Sequence, residues 1–145
     1  MSYTLMDPNR SVQLELKPEE TADDSDKVFT VPAREVWQIL WIWVEFASDA
    51  TVGDRQLELL IRDGSDDTVL QIPVGAVQAA SLTRNYLMAP GMADLTAFRD
   101  TTFLMTPLPP IMLPGGYDVR IYDNNAVAAA ADDMVVQMMV AKQVS

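Results

Sequence analysis

Apolar and polar side chains alternate with a period of two along much of this chain, the pattern of strands that bury one face. In "SVQLEL" Val12, Leu14 and Leu16 fall on one side, with Gln13 and Glu15 opposite. In "RQLELLIR" Leu57, Leu59 and Ile61 oppose Gln56, Glu58 and Arg62. In "YDVRIY" Tyr117, Val119 and Ile121 oppose Asp118 and Arg120. Two segments depart from this pattern. "VWQILWIWVEF" has Trp37, Ile39, Trp41 and Trp43 at odd positions, with Leu40, Ile42, Val44 and Phe46 at even ones. "MVVQMMVAKQV" sets Val135 and Met139 against Val136, Met138 and Val140. A strand that is apolar on both faces is central in a layered fold, or lies against a partner on its second face.

Further strands are expected in "KVFTVP", "TVLQIPV" and "TTFLM". Between the strands fall turn signals: "DGSDD" at 63–67, "APGMAD" at 89–94, "PLPP" at 107–110, "PGG" at 114–116 and "DNN" at 123–125. Nine prolines spread along the chain suit edges and loops of a β fold and would break long helices. "AVAAAADD" offers one short helical turn. The prediction is an all-β protein: an antiparallel β-sandwich, a jelly roll of about eight strands, with little helix. No repeat or linker divides the 145 residues, so 1–145 reads as a single domain large enough for its own core. Residues 1–26, with seven acidic and two basic side chains, read as an extended acidic arm or loop.

Charge removes one class of function. Ten basic against twenty-one acidic residues leave a formal charge of −11, and the basic residues are scattered singly from Arg10 to Lys142. A phosphate backbone needs clustered Lys and Arg, so no nucleic-acid partner is expected. With no cysteine there is neither a disulfide nor a thiolate metal site. With no histidine the usual general base near neutral pH is missing too. Any catalysis would rest on carboxylates, Lys, Tyr, Ser or Thr. "MSYTLMDPNR" shows neither a basic leader nor an apolar run, and Glu45 interrupts the longest apolar stretch well short of the ~20 residues that span a bilayer. Neither a signal peptide nor a membrane partner is expected.

Four constellations could carry chemistry. In "DGSDD" the carboxylates Asp63, Asp66 and Asp67, with Ser65, could wrap a calcium ion. The spacing lacks a closing glutamate, and Asp-Gly favours a plain hairpin turn, which is the preferred reading. Glu45, at the end of the tryptophan strand, is the most interesting carboxylate for a glycosidase pair, with Asp118 a further candidate. Nothing in the sequence nominates a partner, so no catalytic residue and no cofactor is assigned. Trp37, Trp41 and Trp43 share one strand face by simple alternation. In the open they would stack on sugars; covered, they are core or interface, which is favoured because only Gln38 lies near and it points to the other face. The nine methionines, Met112, Met138 and Met139 among them, suit core filling and adaptable contact surfaces. Trp37, Trp41, Trp43, Met112, Met138 and Met139 are therefore the candidate interface.

The segments "WIWVEFASDATVGDRQLELLIRDG", "TVLQIPVGAVQAASLTRNY", "PLPPIMLPGGYDVRIYD" and "AADDMVVQMMV" resemble small structural proteins of tailed bacteriophages, some of which are jelly-roll decoration (cement) proteins of the capsid. The resemblance covers most of the chain from about Trp37 onward and is one of order and texture, without a catalytic signature. It implies a non-enzymatic structural protein made in the host cytoplasm and placed on the capsid surface of the virion. The implied partners are the major capsid protein of the shell and further copies of the chain, a trimer favoured over a dimer. Two alternatives stand beside it: an adaptor at the neck or tail of the same virion, and a carbohydrate-binding β-sandwich module.

Overall fold

Strands that each hold one apolar face need a second layer to bury it, and here two sheets supply that layer to each other. The computed structural model describes residues 6–144 apart from 24, 126 and 129. Its strands are β1 (Gln13–Asp23), β2 (Lys27–Thr30), β3 (Glu35–Ala47), β4 (Leu57–Arg62), β5 (Thr68–Pro73), β6 (Thr83–Ala89), β7 (Phe103–Pro107), β8 (Met112–Pro114), β9 (Asp118–Asp123) and β10 (Asp133–Val144). Among the described residues there is no helix. The fold is an all-β sandwich. The larger sheet runs β1-β10-β3-β6-β7, with β8 also on β3, and the smaller runs β2-β9-β4-β5.

The order is that of a jelly roll, two four-stranded antiparallel layers built from eight strands. β1, β10, β3 and β6 form one layer, and β2, β9, β4 and β5 the other. The two extra strands are inserted between β6 and β9. β7 runs parallel to β6, and β8 pairs with Val36–Gln38 of β3, leaving Ile42–Ala47 to β6. β6 and β8 were not expected from the sequence. β6 carries Arg84 and Asn85 in its middle and β8 is three residues ending in proline, so neither shows a clean alternation.

Between the layers sit Ile42, Val44 and Phe46 of β3, Leu57, Leu59 and Ile61 of β4, Val119 and Ile121 of β9, and Val136, Met138 and Val140 of β10, all within 1% of complete burial. Each such side chain contributes on the order of 1.5–3 kcal/mol. The alternations of β4 and β9 thus face as predicted.

Two faces do not. In β3, Trp41 pairs with Met139 but Ile39 with Val140, so Leu40 is an extra residue, a β-bulge. Upstream of it the phase reverses. Trp37, at 2% exposure, lies in the core beside Ile39, while Trp41 and Trp43 stay on the outside. Trp37 therefore leaves the candidate interface, and so does Met138, which is fully buried. The apparent two-faced strand is in part a one-faced strand with a phase shift. Trp37 donates from Nε1 to Glu35 Oε2 at 2.8 Å.

β1 is the second reversal. It pairs with β10 so that Glu15 opposes the core residue Val140 and Lys17 opposes Met138, while Leu14 and Leu16 oppose Ala141 and Met139. Opposed residues share a face, so the charged side points inward and the leucines outward. The inward charges form a network: Lys142 lies 2.5 Å from Glu15 and 3.2 Å from Glu35, and Lys17 lies 2.7 Å from Glu15 and sits 4.9 Å from the centre of the Trp37 ring. The acidic arm expected over residues 1–26 is largely this strand. Asp7 and Arg10 are tied to Gln143 and Val144, and Asp23 and Asp26 are paired with Lys27 and Arg120. Residues 1–5 and Asp24 lie outside the described residues.

One end of the sandwich is closed by a buried polar knot. Arg55, with no exposed surface, uses every guanidinium donor position: Asp132 at 2.8 and 3.1 Å, Asp49 at 2.9 Å, and the carbonyls of Thr51 and Gly53 at 2.9 and 2.7 Å. Gln78 beside it donates to the carbonyls of Phe46 and Leu82 and accepts from Tyr86 Oη, whose own ionisation is pushed upward by burial.

Candidate functional site: the outer face of the larger sheet

Strand register places the outward side chains of the larger sheet in rows. Leu16, Met139 and Trp41 oppose one another across β1, β10 and β3. The next row crosses five strands: Pro18, Gln137, Trp43, Leu87 and Met105. On one side of these lie Leu14, Ala141, Gln38 and Met112; on the other lie Val135, Glu45, Asn85 and Phe103. Trp41, Trp43, Leu87, Met105, Met112 and Met139 are partly exposed, and Leu14, Leu16 and Phe103 are exposed at 70%, 42% and 37%. Glu45 is the one ionisable side chain in these four rows.

Strands ~4.8 Å apart and side-chain rows ~6.7 Å apart give each position about 32 Å², so the sixteen positions cover on the order of 500 Å², about 400 Å² of it at the twelve apolar ones. The apolar part lies within the size range of the largest apolar patch on a typical monomer. Four of the six candidate interface residues, Trp41, Trp43, Met112 and Met139, fall on this one face. Leu14, Leu16, Leu87, Phe103 and Met105 join them without having been singled out from sequence. Leu14 and Leu16 had been placed in the core, and β6 and its register could not be read.

The outer face of the smaller sheet is mostly polar, with Leu60 nearly buried and Val28 44% exposed in line with Arg120. Arg62 grips Asp118 at 3.0 and 2.8 Å, and Arg120 pairs with Asp26 while lying 4.8 Å from the centre of the Tyr122 ring. Glu58 accepts from Tyr122 Oη at 2.6 Å and from Gln71 at 2.5 Å. Burial, then the neighbouring Glu58 carboxylate, push the Tyr122 hydroxyl's ionisation upward. These polar groups satisfy one another.

The catalytic candidates do not meet. Glu45 sits on the outside of one sheet, and Asp118 on the outside of the other, held by Arg62. Asp63, Asp66 and Asp67 form the β4–β5 turn. Asp63 Oδ1 accepts the amides of Ser65 and Asp67 at 2.8 and 3.0 Å, Asp66 takes φ 64°, and Arg62 lies 3.7 Å from its carboxylate. Among the described residues there is no group of three acidic side chains spaced to hold a metal ion. An open recess of about 400 Å³ lies by Arg10, Gln13 and Lys142, but Lys142 is already engaged by two glutamates.

Comparison with protein-family models and with curated proteins gives no match.

Proposed function

We propose that this chain is a non-enzymatic structural protein of a phage virion, a jelly-roll decoration subunit that seats the outer face of its larger sheet on the capsid shell. The observation that carries the reading is the contrast between the two outer faces. One presents Leu16, Trp41, Trp43, Leu87 and Met139 with a single carboxylate among them; the other carries the Arg62–Asp118 and Arg120–Asp26 ion pairs and the hydrogen-bonded Glu58, Tyr122 and Gln71 around Leu60. Permanent interfaces are apolar like a domain core cut in half, and aromatic and Met side chains are enriched in them. On the order of 500 Å² per subunit falls well short of the ~800 Å² of a standard interface, so each contact is modest and the effect on a shell is the sum over many copies. The formal charge of −11 keeps a dense lattice of such subunits soluble. The resemblance of the sequence to tailed-phage head proteins supports the choice of partner.

The test is the disruption temperature of undecorated capsids with and without the protein. Wild type raises it, and Trp43→Glu, which places a charge in the middle of the five-strand row, abolishes the rise while the free protein keeps its fold. No rise with wild type removes the reading. Label on the particle at a single vertex in place of an icosahedral lattice would move the protein to the neck or tail.

A carbohydrate-binding module is the second reading, favoured by Trp41 and Trp43 standing partly exposed on one strand with Gln137 opposite Trp43. It predicts a blue shift of tryptophan emission on adding the right glycan, and no effect on capsids.

A further inference from the structure

β1 ends the larger sheet, and among the described residues nothing pairs with its outer edge. It is eleven residues long, and its two leucines, Leu14 and Leu16 in its first half, are exposed at 70% and 42%. An open edge of that length is a template for another strand. Proteins block such edges with charge or proline, and β1 has both in Glu15, Lys17 and Pro18. Their arrangement, however, is self-complementary.

We propose that two copies of this chain pair edge to edge through β1, antiparallel about a two-fold axis at Leu16, so that the two larger sheets become one. Directly opposite residues in antiparallel strands share a face. In this register Leu16 meets Leu16 of the second copy on the outer face, and Leu14 meets Pro18. On the inner face Glu15 meets the second copy's Lys17, and Lys17 its Glu15. The internal Glu15–Lys17 pair at 2.7 Å becomes half of a four-charge ladder of alternating sign. Moving the axis one residue either way destroys the match. Centred on Glu15 it sets two glutamates face to face, and centred on Lys17 it sets two lysines together and Glu15 against Glu19. Opposite charges across strands stabilise and like charges destabilise, so the register is specified. Pro18, lacking an N–H, closes the paired window at both ends and prevents slippage along the edge.

A two-fold axis normal to the sheet keeps both outer faces on the same side. Leu14 and Leu16, the least covered apolar side chains in the paired window, then lie at the centre of a doubled apolar surface. The interface is isologous, as in most homodimers, and takes the place of the three-fold arrangement expected from sequence. It needs only a second copy of the chain and holds whether or not a capsid is the final support.

The absence of cysteine from the chain makes the test clean. Leu16→Cys places two thiols directly opposite, ~4.5–5.5 Å apart at Cα, within disulfide reach. Leu14→Cys leaves its thiols four residues out of step, ~13 Å apart. Light scattering of the wild-type protein is expected to give twice the 16.1 kDa of one chain. Mild oxidation is expected to cross-link Leu16→Cys at least tenfold faster than Leu14→Cys. Leu16→Lys, which sets two ammonium groups on the axis, is expected to give a monomer that still unfolds cooperatively. A monomer or trimer mass for wild type would overturn the proposal. Cross-linking of Leu14→Cys as fast as Leu16→Cys would do the same. These readouts use the free protein, so they stand apart from the capsid assay.

Discussion

Arg55 and Asp132 form a two-point ion pair in which neither side chain has any exposed surface: Nε lies 2.8 Å from Oδ2 and Nη2 lies 3.1 Å from Oδ1. Asp132 stands just before β10 and Arg55 just before β4, so the pair joins the two sheets at one end. Asp132 Oδ1 also accepts the amide of Asp49 at 2.8 Å.

Removing one partner of such a pair leaves an uncompensated buried charge. Asp132→Leu and Arg55→Met are each expected to cost about 3–5 kcal/mol in urea unfolding. Arg55→Met combined with Asp132→Leu is expected to cost less than the sum of the two. Strict additivity would mean that the pair is not the unit it looks to be.

The three tryptophans are expected to separate in energy as they do in space. Trp37→Ala opens a core cavity and should cost about 3–5 kcal/mol. Trp41→Ala and Trp43→Ala, on the outside, should cost about 1 kcal/mol or less in the free protein. Acrylamide should quench two of the three indoles readily. Equal losses at all three sites would contradict the bulge.

Deleting Leu40 tests the bulge directly. Without the extra residue, either Trp37 and Ile39 turn outward or the pairing with β10 slips by one. We expect loss of near-ultraviolet circular dichroism and of cooperative unfolding, whereas Leu40→Ala, which keeps the residue count, retains both. A cooperatively folded deletion variant would show that the strand tolerates the other phase.

How much of this was legible in the chain is clearest at β4 and β3. Leu57, Leu59 and Ile61 alternate without interruption, so face and core follow from spacing alone. In β3 the same rule put Trp37 with Trp41 and Trp43, because alternation carries parity only as far as the next bulge, and a bulge leaves no residue signature in "WQILW". β1 failed differently. Its alternation was read correctly, but a period of two does not say which side is inward. That is decided by the pairing of Leu16 with Met139, a contact more than a hundred residues away. Trp41 and Trp43 beyond the bulge, Met139 in β10's outward phase and Met112 on β8 lie on the one outer face. The Arg55–Asp132 knot joins loops that no local pattern connects.

Acid should weaken the fold in a defined window. Lys27, then Ser25, hold the Asp23 carboxyl down to about 2. Lys142 and Lys17 lower Glu15, and the amide of Thr51 leads the groups that lower Asp49. For each, the unfolded chain takes up its proton first, near pH ~4. Their stabilisation is therefore complete above that pH and lost as the pH falls toward the folded values. Asp123, raised by burial, has the opposite sign: its protonation favours the folded state. Three against one, the thermal midpoint is expected to hold from pH 8 to 5 and drop between about 4 and 2. Asp23→Asn is expected to soften the lower part of that drop. A midpoint that climbs on acidification, or an unaltered profile in the variant, would refute the assignment.

The unlike outer sides of the two sheets also give the molecule an up and a down. A subunit whose greasy side seeks cover and whose arginines already hold their own carboxylates has one way to lie on a support. Every copy would then turn the Arg62–Asp118 side to the surrounding medium, and a crowded array would present one repeated chemical texture whatever it rests on.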